Sequence, residues 1–307
     1  MQTKKLIVTH SNPDLDAVTS IWLIKRFWSE WENAELYFVP AGETLESFAR
    51  KSNNRKLINQ FRNYEIIHVD TGMGEFDHHQ DNKDTCAAKL IFDQLADDIE
   101  LTTNGRTSKI DVKRFHKEAL GRLVRVVNDI DHFRQVYFPD PTADRHQFML
   151  VDILDGLNLL YNETGNGDIQ VVDHGMVALD AIYRVLQNKA NAENEIASGD
   201  KLTVKTRYGK AAGFTTGNDA VLDMAQKMGY VIVVRKDPKK SYVRIKSLPE
   251  KGIDLTPVYE TLKHDDPQAT WFLHSSKSMV LNGSTKNPTM KPSRLGIQEI
   301  MQIIKKI

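Results

Sequence analysis

Three stretches of this chain bring together residue types that hold divalent metals. Val69-Asp70 closes the β-branched run Tyr64-Glu65-Ile66-Ile67-His68 and breaks into Thr71-Gly72-Met73-Gly74; seven residues after Asp70 comes Asp77-His78-His79. A carboxylate at a strand end, followed by two adjacent imidazoles in a glycine-rich loop, suits a metal ion better than a core. Imidazole and carboxylate together favour Mn, Zn or Fe, and carboxylates alone lean to Mg. The second stretch is His10-Ser11-Asn12-Pro13-Asp14-Leu15-Asp16-Ala17, with an imidazole and two carboxylates in seven residues. The third is Asn128-Asp129-Ile130-Asp131-His132. Each stretch also has a plainer explanation. Loop histidines are commonly solvated, and acids near a helix start are favoured by the helix dipole alone.

Taken together, His10, Asp14, Asp16, Asp70, His78, His79 and Asp131 offer more ligands than one octahedral ion takes. The set suits two metals bridged by a carboxylate, an arrangement that clamps the attacking and leaving oxygens in phosphoryl transfer.

The elements that must position these groups can be read from the apolar spacing. Lys5-Leu6-Ile7-Val8-Thr9-His10 is a buried-type strand, and Asp14 to Trp28 is a helix whose apolar face includes Val18, Ile21, Trp22 and Ile24. A second strand spans 35–39 and a third ends at Asp70. A helix is expected over 85–96 and a polar loop over 102–109. A long helical block follows, with Leu120, Leu123, Val124, Val127 and Ile130 as its stripe. Asp131, four residues beyond Val127, falls on that stripe while Asp129 points off it, and a core-facing carboxylate needs compensation. Two further helices are expected over roughly 143–161 and 170–188. Strands alternating with helices predict an α/β fold: a parallel sheet with helices on both faces, whose carboxyl edge is where ligands bind.

Residues 187–200 are polar and poor in bulky apolar side chains. The expected organisation is therefore a metal-binding catalytic domain over 1–188, a linker over 189–200 and a smaller α/β substrate-binding domain over 201–307. Strands in that second domain are expected over 202–206, 211–215, 230–234, 242–245 and 270–273, with helices over 220–228, near 255–262 and from 295 onward. At 307 residues with zero net charge, the chain is nonetheless lopsided: residues 201–307 carry 19 Lys and Arg against 9 Asp and Glu, and residues 1–200 carry 22 against 32. An acidic half for cations and a basic half for anions fit a substrate held between them.

No apolar run approaches the roughly 18 residues that cross a bilayer, so no membrane partner is expected. Met1-Gln2-Thr3-Lys4-Lys5 opens directly into a strand with no signal peptide, and Cys86 is the single cysteine. Both favour a cytoplasmic setting. Oligomeric state leaves no mark in the sequence.

In order along the chain, His10-Ser-Asn-Pro-Asp14-Leu-Asp16-Ala17, Val69-Asp70, Asp77-His78-His79 and Asp131 resemble the four motifs of the DHH phosphoesterase superfamily. The C-terminal half is similar in layout to its DHHA1-type substrate domain. The resemblance implies two Mn or Mg ions: one on His10 and Asp14, the other on Asp16, His78 and Asp131, with Asp70 bridging. It places His79 toward the substrate phosphate or leaving group and Asp77 behind the histidine pair. The family's Gly-Gly-Gly-His loop is replaced by Leu273-His274-Ser275-Ser276-Lys277, where backbone amides of small residues, His274, Ser275, Lys277 and the strand residue Arg244 are the expected phosphate contacts. The expected activity is metal-dependent hydrolysis of phosphodiesters in a short nucleic acid or nucleotide, as an exonuclease or phosphodiesterase. A pyrophosphatase or polyphosphatase, or a non-catalytic metal-binding regulator, is the alternative.

Overall fold

The computed structural model of the protein describes residues 3–80, 82–103, 116–162, 167–198, 200–249, 252–284, 287 and 289–307. It is an α/β structure that divides into two compact units, 1–186 and 187–307.

In the first unit β1 (Lys4–His10) leads into α1 (Leu15–Phe27), β2 (Glu35–Val39), α2 (Leu45–Lys51), α3 (Arg55–Gln60) and β3 (Tyr64–His68). The three strands form a parallel sheet in the order β2-β1-β3. Alternation along β1 feeds two cores, as the pleat requires. Leu6 and Val8 pack with Leu45, Ala49, Leu57 and Phe61 of and beside α2 and α3. Ile7 packs on the other face with α1, α4 (Ala87–Thr103), α5 (Lys117–Asp131), α6 (Leu150–Asn162) and the first part of α7 (Gly167–Ala197). Burial on both faces explains why β1 reads as an unbroken apolar run. Helix α1 is buried nearly all round, with Trp22, Leu23 and Ile24 at zero exposure.

Three helix expectations change. The helix expected over 85–96 continues to Thr103, taking in the start of the expected polar loop; residues 104–109 lie outside the described residues. The helix expected from residue 143 begins at Leu150, after a short 3-10 turn over Asp144–Phe148. Residues 189–197, expected as linker, are the last turns of α7. Ala190 and Ala192 are fully buried, and Ala192 and Ile196 pack against Ala212, Phe214, Val221 and Leu222 of the second unit. Small apolar residues spaced along a polar helix gave too weak a pattern to separate it from coil.

The second unit contains β4 (Leu202–Thr206), β5 (Gly209–Thr215), α8 (Ala220–Lys227), β6 (Ile232–Lys236), β7 (Val243–Ser247), α9 (Thr256–Asp265), β8 (Phe272–Leu273), β9 (Met279–Asn282) and α10 (Ile297–Lys305). Its six-stranded sheet runs β4-β5-β6-β7-β9-β8, parallel at β5–β6 and antiparallel elsewhere. Strand β9, unforeseen in the sequence, lies between β7 and the two-residue β8. Among the described residues no helix is long and apolar enough to cross a membrane.

Candidate metal centre

Every metal-ligating residue expected from the sequence lies in the first unit, and the fold brings them to the carboxyl edge of its sheet. His10 ends β1. Asp14 caps α1, its Oδ1 accepting from Ala17 N at 3.0 Å. Asp16, in the first turn, is 2% exposed and caps a different helix: its oxygens accept from Ala87 N at 2.7 Å and Ala88 N at 2.8 Å, the start of α4. One carboxylate thus anchors α4 to α1 beside the site.

Asp70 follows β3, which stays paired one residue further through Val69 N to Val8 O. At Asp70 the backbone turns left-handed, with φ of 53°, a conformation that aspartate tolerates better than most non-glycine residues. The turn is closed by Asp70 N, which donates to Phe76 O at 2.8 Å. Gly72 makes the close turn with φ of 82°, where a Cβ would stand 3.0 Å from Thr44 Cγ2. The return brings Asp77, His78 and His79 back over Asp70.

The two oxygens of Asp70 face opposite ways. Oδ2 lies 3.2 Å from His10 Nε2, and Oδ1 lies 3.4 Å from His78 Nε2. Asp14 is 3.9 Å from the same His10 nitrogen, while Asp16 at 3.8 Å and Asp131 at 3.6 Å approach that of His78. His10, Asp14 and Asp70 form one cluster and Asp16, His78 and Asp131 another, the ligand atoms of each within 4.8 Å of one another; Asp70, His78 and His79 form a third. Asp70 Oδ1 and His78 Nε2 are both buried and lack a hydrogen-bond partner among the described residues. Buried polar atoms are normally paired, and these two converge on a common point with donor chemistry suited to a cation.

The electrostatics agree. Burial pushes Asp16 well above the usual carboxylate range, and Asp70, Asp14 and Asp131 push it further. Burial also raises Asp131, although His78 works against it. Burial would raise Asp70 too, but His10 and His78 outweigh it and hold it below its ordinary value. The neighbouring Asp70 lifts His78 to about 9 against the cost of burying its charge. At His10 burial opposes the charge, yet Asp70 and Asp14 bring it to about 9. Without a metal, protons on the imidazoles balance the acids; a divalent cation would serve the same role for all of them.

His79 is turned outward, its side chain 58% exposed. Its Nδ1 lies 2.7 Å from Asp77 Oδ1 and 3.8 Å from Asp70 Oδ1. Asp77 is buried and accepts as well from Met73 N at 2.7 Å and His79 N at 3.1 Å. An Nδ1–H bonded to that carboxylate leaves His79 Nε2 as the atom open to solvent and substrate. Asp129 is elsewhere: it pairs with Arg134 at 2.9 Å, so Asp131 is the acid of this helix end that reaches the centre.

Sequence reasoning missed what holds that helix end. Arg134 also pairs with Asp84 at 2.7 Å, and Asn128 donates to the same Asp84 oxygen at 2.8 Å. This ties the loop following Asp-His-His to the end of α5. His132, which ends the third stretch, has its ring 6.4 Å from that of His78 and its Nδ1 2.9 Å from Asn128 O.

The substrate residues expected in the second unit are differently engaged. Arg244 pairs with Asp219 at 2.5 Å, and the buried Arg235, which the sequence did not single out, pairs with that carboxylate at 2.8 Å. The segment 274–278 is a tight turn between β8 and β9: His274 N donates to Met279 O and Lys277 N to His274 O. Ser276 N and Ser278 N face His274 Nδ1 and Ser276 Oγ. Those four amides bond inside the turn. Ser275 is exposed on it, and Lys277 pairs with Asp254 at 3.2 Å. Arg244 lies opposite Leu281, three residues along β9 from the turn, and its side chain and that of Lys277 pair with different acids, Asp219 and Asp254.

No protein-family model matches this chain, and no curated protein matches it. Among solved structures it is similar to an uncharacterized protein from Helicobacter pylori G27, with 14% identity over 98% of each chain and a TM-score of 0.26. A likeness at that level carries no argument about fold or function.

Proposed function

We propose that the protein is a divalent-metal-dependent phosphoesterase that hydrolyses phosphodiester bonds in a nucleotide or short nucleic acid. The observation that supports this most is Asp70, with one oxygen toward His10 and the other toward an unpartnered His78 nitrogen. A carboxylate poised between two ligand clusters is what a bridged pair of ions requires. His10 and Asp14 would hold one ion, Asp16, His78 and Asp131 the other, and the order of these motifs is that of the DHH phosphoesterases. A bound Mn or Mg pair supplies charge neutralisation and an acidified water.

The chain's own groups supply the rest. Asp77 fixes the orientation of His79, whose Nε2, when protonated, would give its proton to the leaving oxygen. Asp84 and Arg134 keep the Asp131 end of α5 against the Asp-His-His loop. The basic balance of residues 201–307 supports a polyanionic substrate.

The deciding assay incubates the Mn-loaded protein with a short RNA, a short DNA, a cyclic dinucleotide and pyrophosphate. Turnover of one of the first three, lost on chelation, is expected. Turnover of pyrophosphate alone, or of none of them, would overturn the phosphodiesterase reading.

A further inference from the structure

Between Ser47 and Tyr64 the chain carries Arg50, Lys51, Arg55, Lys56 and Arg62 and no acid, although residues 1–200 as a whole hold 22 Lys and Arg against 32 Asp and Glu. This basic stretch forms most of α2, all of α3 and the turn between them. The apolar sides of the two helices face the sheet, where Leu45, Ala49, Leu57 and Phe61 pack with Leu6 and Val8. Outside that core a cavity of about 410 Å³ opens, lined by Ala49, Arg50, Asn53, Arg55, Ile58 and Asn59. Its volume is that of a small-molecule site.

No acid lines the cavity. Arg50 reaches Glu46 at 3.6 Å, an ion pair exposed on both sides and so easily exchanged. The side chains of Asn53, Arg55 and Asn59 make no hydrogen bond or ion pair among the described residues. The carbonyls that end α2 do not compete for them, being already taken: Phe48 O accepts from Ser52 N at 2.9 Å, Ala49 O from Asn54 N at 2.8 Å and Arg50 O from Asn53 N at 3.1 Å. What remains open is one guanidinium fork from each helix, two carboxamides, and an apolar wall of Ala49 and the 36% exposed Ile58.

Guanidinium forks match the oxygens of carboxylates and phosphates. A carboxylate offers two oxygens and a single charge, whereas a terminal phosphate offers three oxygens and about −1.5 to −2 charges, enough for two forks. Beyond the arginines, carboxamides both donate and accept, which suits hydroxyls or the edge of a heterocycle. We infer that the α2–α3 cavity binds a small phosphomonoester, with Arg50 and Arg55 on the phosphate and Asn53 and Asn59 on the polar body that carries it. The site is distinct from the metal centre. The end of α2 nearer that centre is Leu45, whose N–H bonds His68 Nε2, and Arg50 lies about 8 Å further along the helix axis. It also stands independently of the phosphodiesterase reading.

The test is calorimetric titration of the full chain in chelator, which keeps metal-dependent binding out of the measurement. The probes are AMP, ribose 5-phosphate, inorganic phosphate, adenosine and citrate. One site per chain is expected for at least one of the two monoesters, with inorganic phosphate competing and with adenosine and citrate at least about tenfold weaker. Arg50→Gln and Arg55→Gln should each weaken the monoester on the order of tenfold. Asn59→Leu should weaken the monoester and spare inorganic phosphate. Lys56→Gln and Arg62→Gln, which remove equal charge outside the cavity, should leave affinity unchanged, and wild-type Tm in every variant shows that no loss comes from unfolding. Absence of binding by both monoesters, or adenosine or citrate binding as tightly as they do, would overturn the site. So would equal losses from Lys56→Gln and Arg55→Gln, the mark of a diffuse cationic surface. A phosphorothioate pentanucleotide that binds through Arg50 and Arg55 more tightly than either monoester would overturn it too, since a nucleic-acid strand would then be the occupant.

Discussion

Asp77 Oδ1 lies 2.7 Å from His79 Nδ1, while its other oxygen accepts from Met73 N at 2.7 Å. The carboxylate is therefore braced by the backbone on one side and braces the imidazole on the other. Groups placed behind a reacting side chain in this way typically contribute about 10–100-fold. Asp77→Ala is expected to cut kcat by about that factor with the metal content retained. His79→Ala should lower turnover more than metal content, and His78→Ala should lower both. Metal analysis on the same samples used for kinetics separates the cases; equal metal loss in the two histidine variants would remove the distinction between them.

Asp70 is the residue shared between the two clusters, so Asp70→Asn should cost the ions without costing the fold. An amide presents one oxygen and cannot neutralise two cations. Ligand binding at a hundred times Kd stabilises the native state by about 2.7 kcal/mol. Titrating Mn into the wild-type protein should raise Tm accordingly, and the Asp70→Asn variant should show no comparable rise. A full shift in the variant would show that Asp70 is not a bridging ligand.

Asp16 belongs to a candidate metal cluster and also supports structure. Its oxygens accept from Ala87 N and Ala88 N, so removing the side chain strips two amides at the start of α4 of their partner. Asp16→Ala is expected to destabilise the metal-free protein by about 2 kcal/mol. Asp14→Ala, which loses a single cap on α1, should cost about 1 kcal/mol. Urea unfolding of both variants in chelator measures the difference, and equal midpoints would mean that the α4 contact contributes nothing.

How much of this was legible follows from where the residues sit. His10, Asp14, Asp16 and Asp70 stand where an apolar run gives way to a polar break, and such breaks are the strongest punctuation a sequence carries. Asp131 stood out from Asp129 because the α5 stripe points one inward and the other outward. The Asp84–Arg134–Asn128 tie was invisible, since it joins residues 50 and 44 apart whose types are ordinary at a surface. Arg235 was hidden at the end of the β-branched run of β6, where nothing in the spacing reveals a partner in Asp219.

Stability should depend on acid through a pair remote from the metal centre. Asp180 accepts from Trp22 Nε1 at 2.8 Å and pairs with Arg26 at 2.8 Å, joining α7 to α1. Burial would raise its pKa, but the bonds from Arg26 and Trp22 outweigh that and hold it below the ordinary carboxylate value. A depressed folded-state pKa means that the contribution is complete above the unfolded value and fades as the pH falls through the folded one. In chelator, the wild-type protein should lose stability over that acidic range, and Asp180→Asn should lose less. Parallel stability–pH curves for the two proteins would exclude Asp180 as a source of the dependence.

The two acids at the end of α5 give the sharpest comparison within the site. They are two residues apart, and in the sequence only the apolar stripe of α5 favours Asp131 over Asp129 as the fourth ligand. In the structure Asp131 Oδ2 lies 3.6 Å from His78 Nε2, whereas Asp129 Oδ1 takes Nη1 of Arg134 at 2.9 Å. Asp131→Asn should therefore remove an ion from the Asp16–His78 cluster and leave the one beside His10, giving one Mn per chain and turnover near background. Asp129→Asn should keep both ions, because Arg134 retains its bond to Asp84. Its cost is the smaller one of a partly exposed ion pair, about 0–1 kcal/mol, with a modest loss of kcat from a looser α5 end. Metal stoichiometry after extensive dialysis decides between them. Two ions retained in Asp131→Asn with one lost in Asp129→Asn would reverse the assignment, and the pairing of Arg134 would then have to break when metal binds.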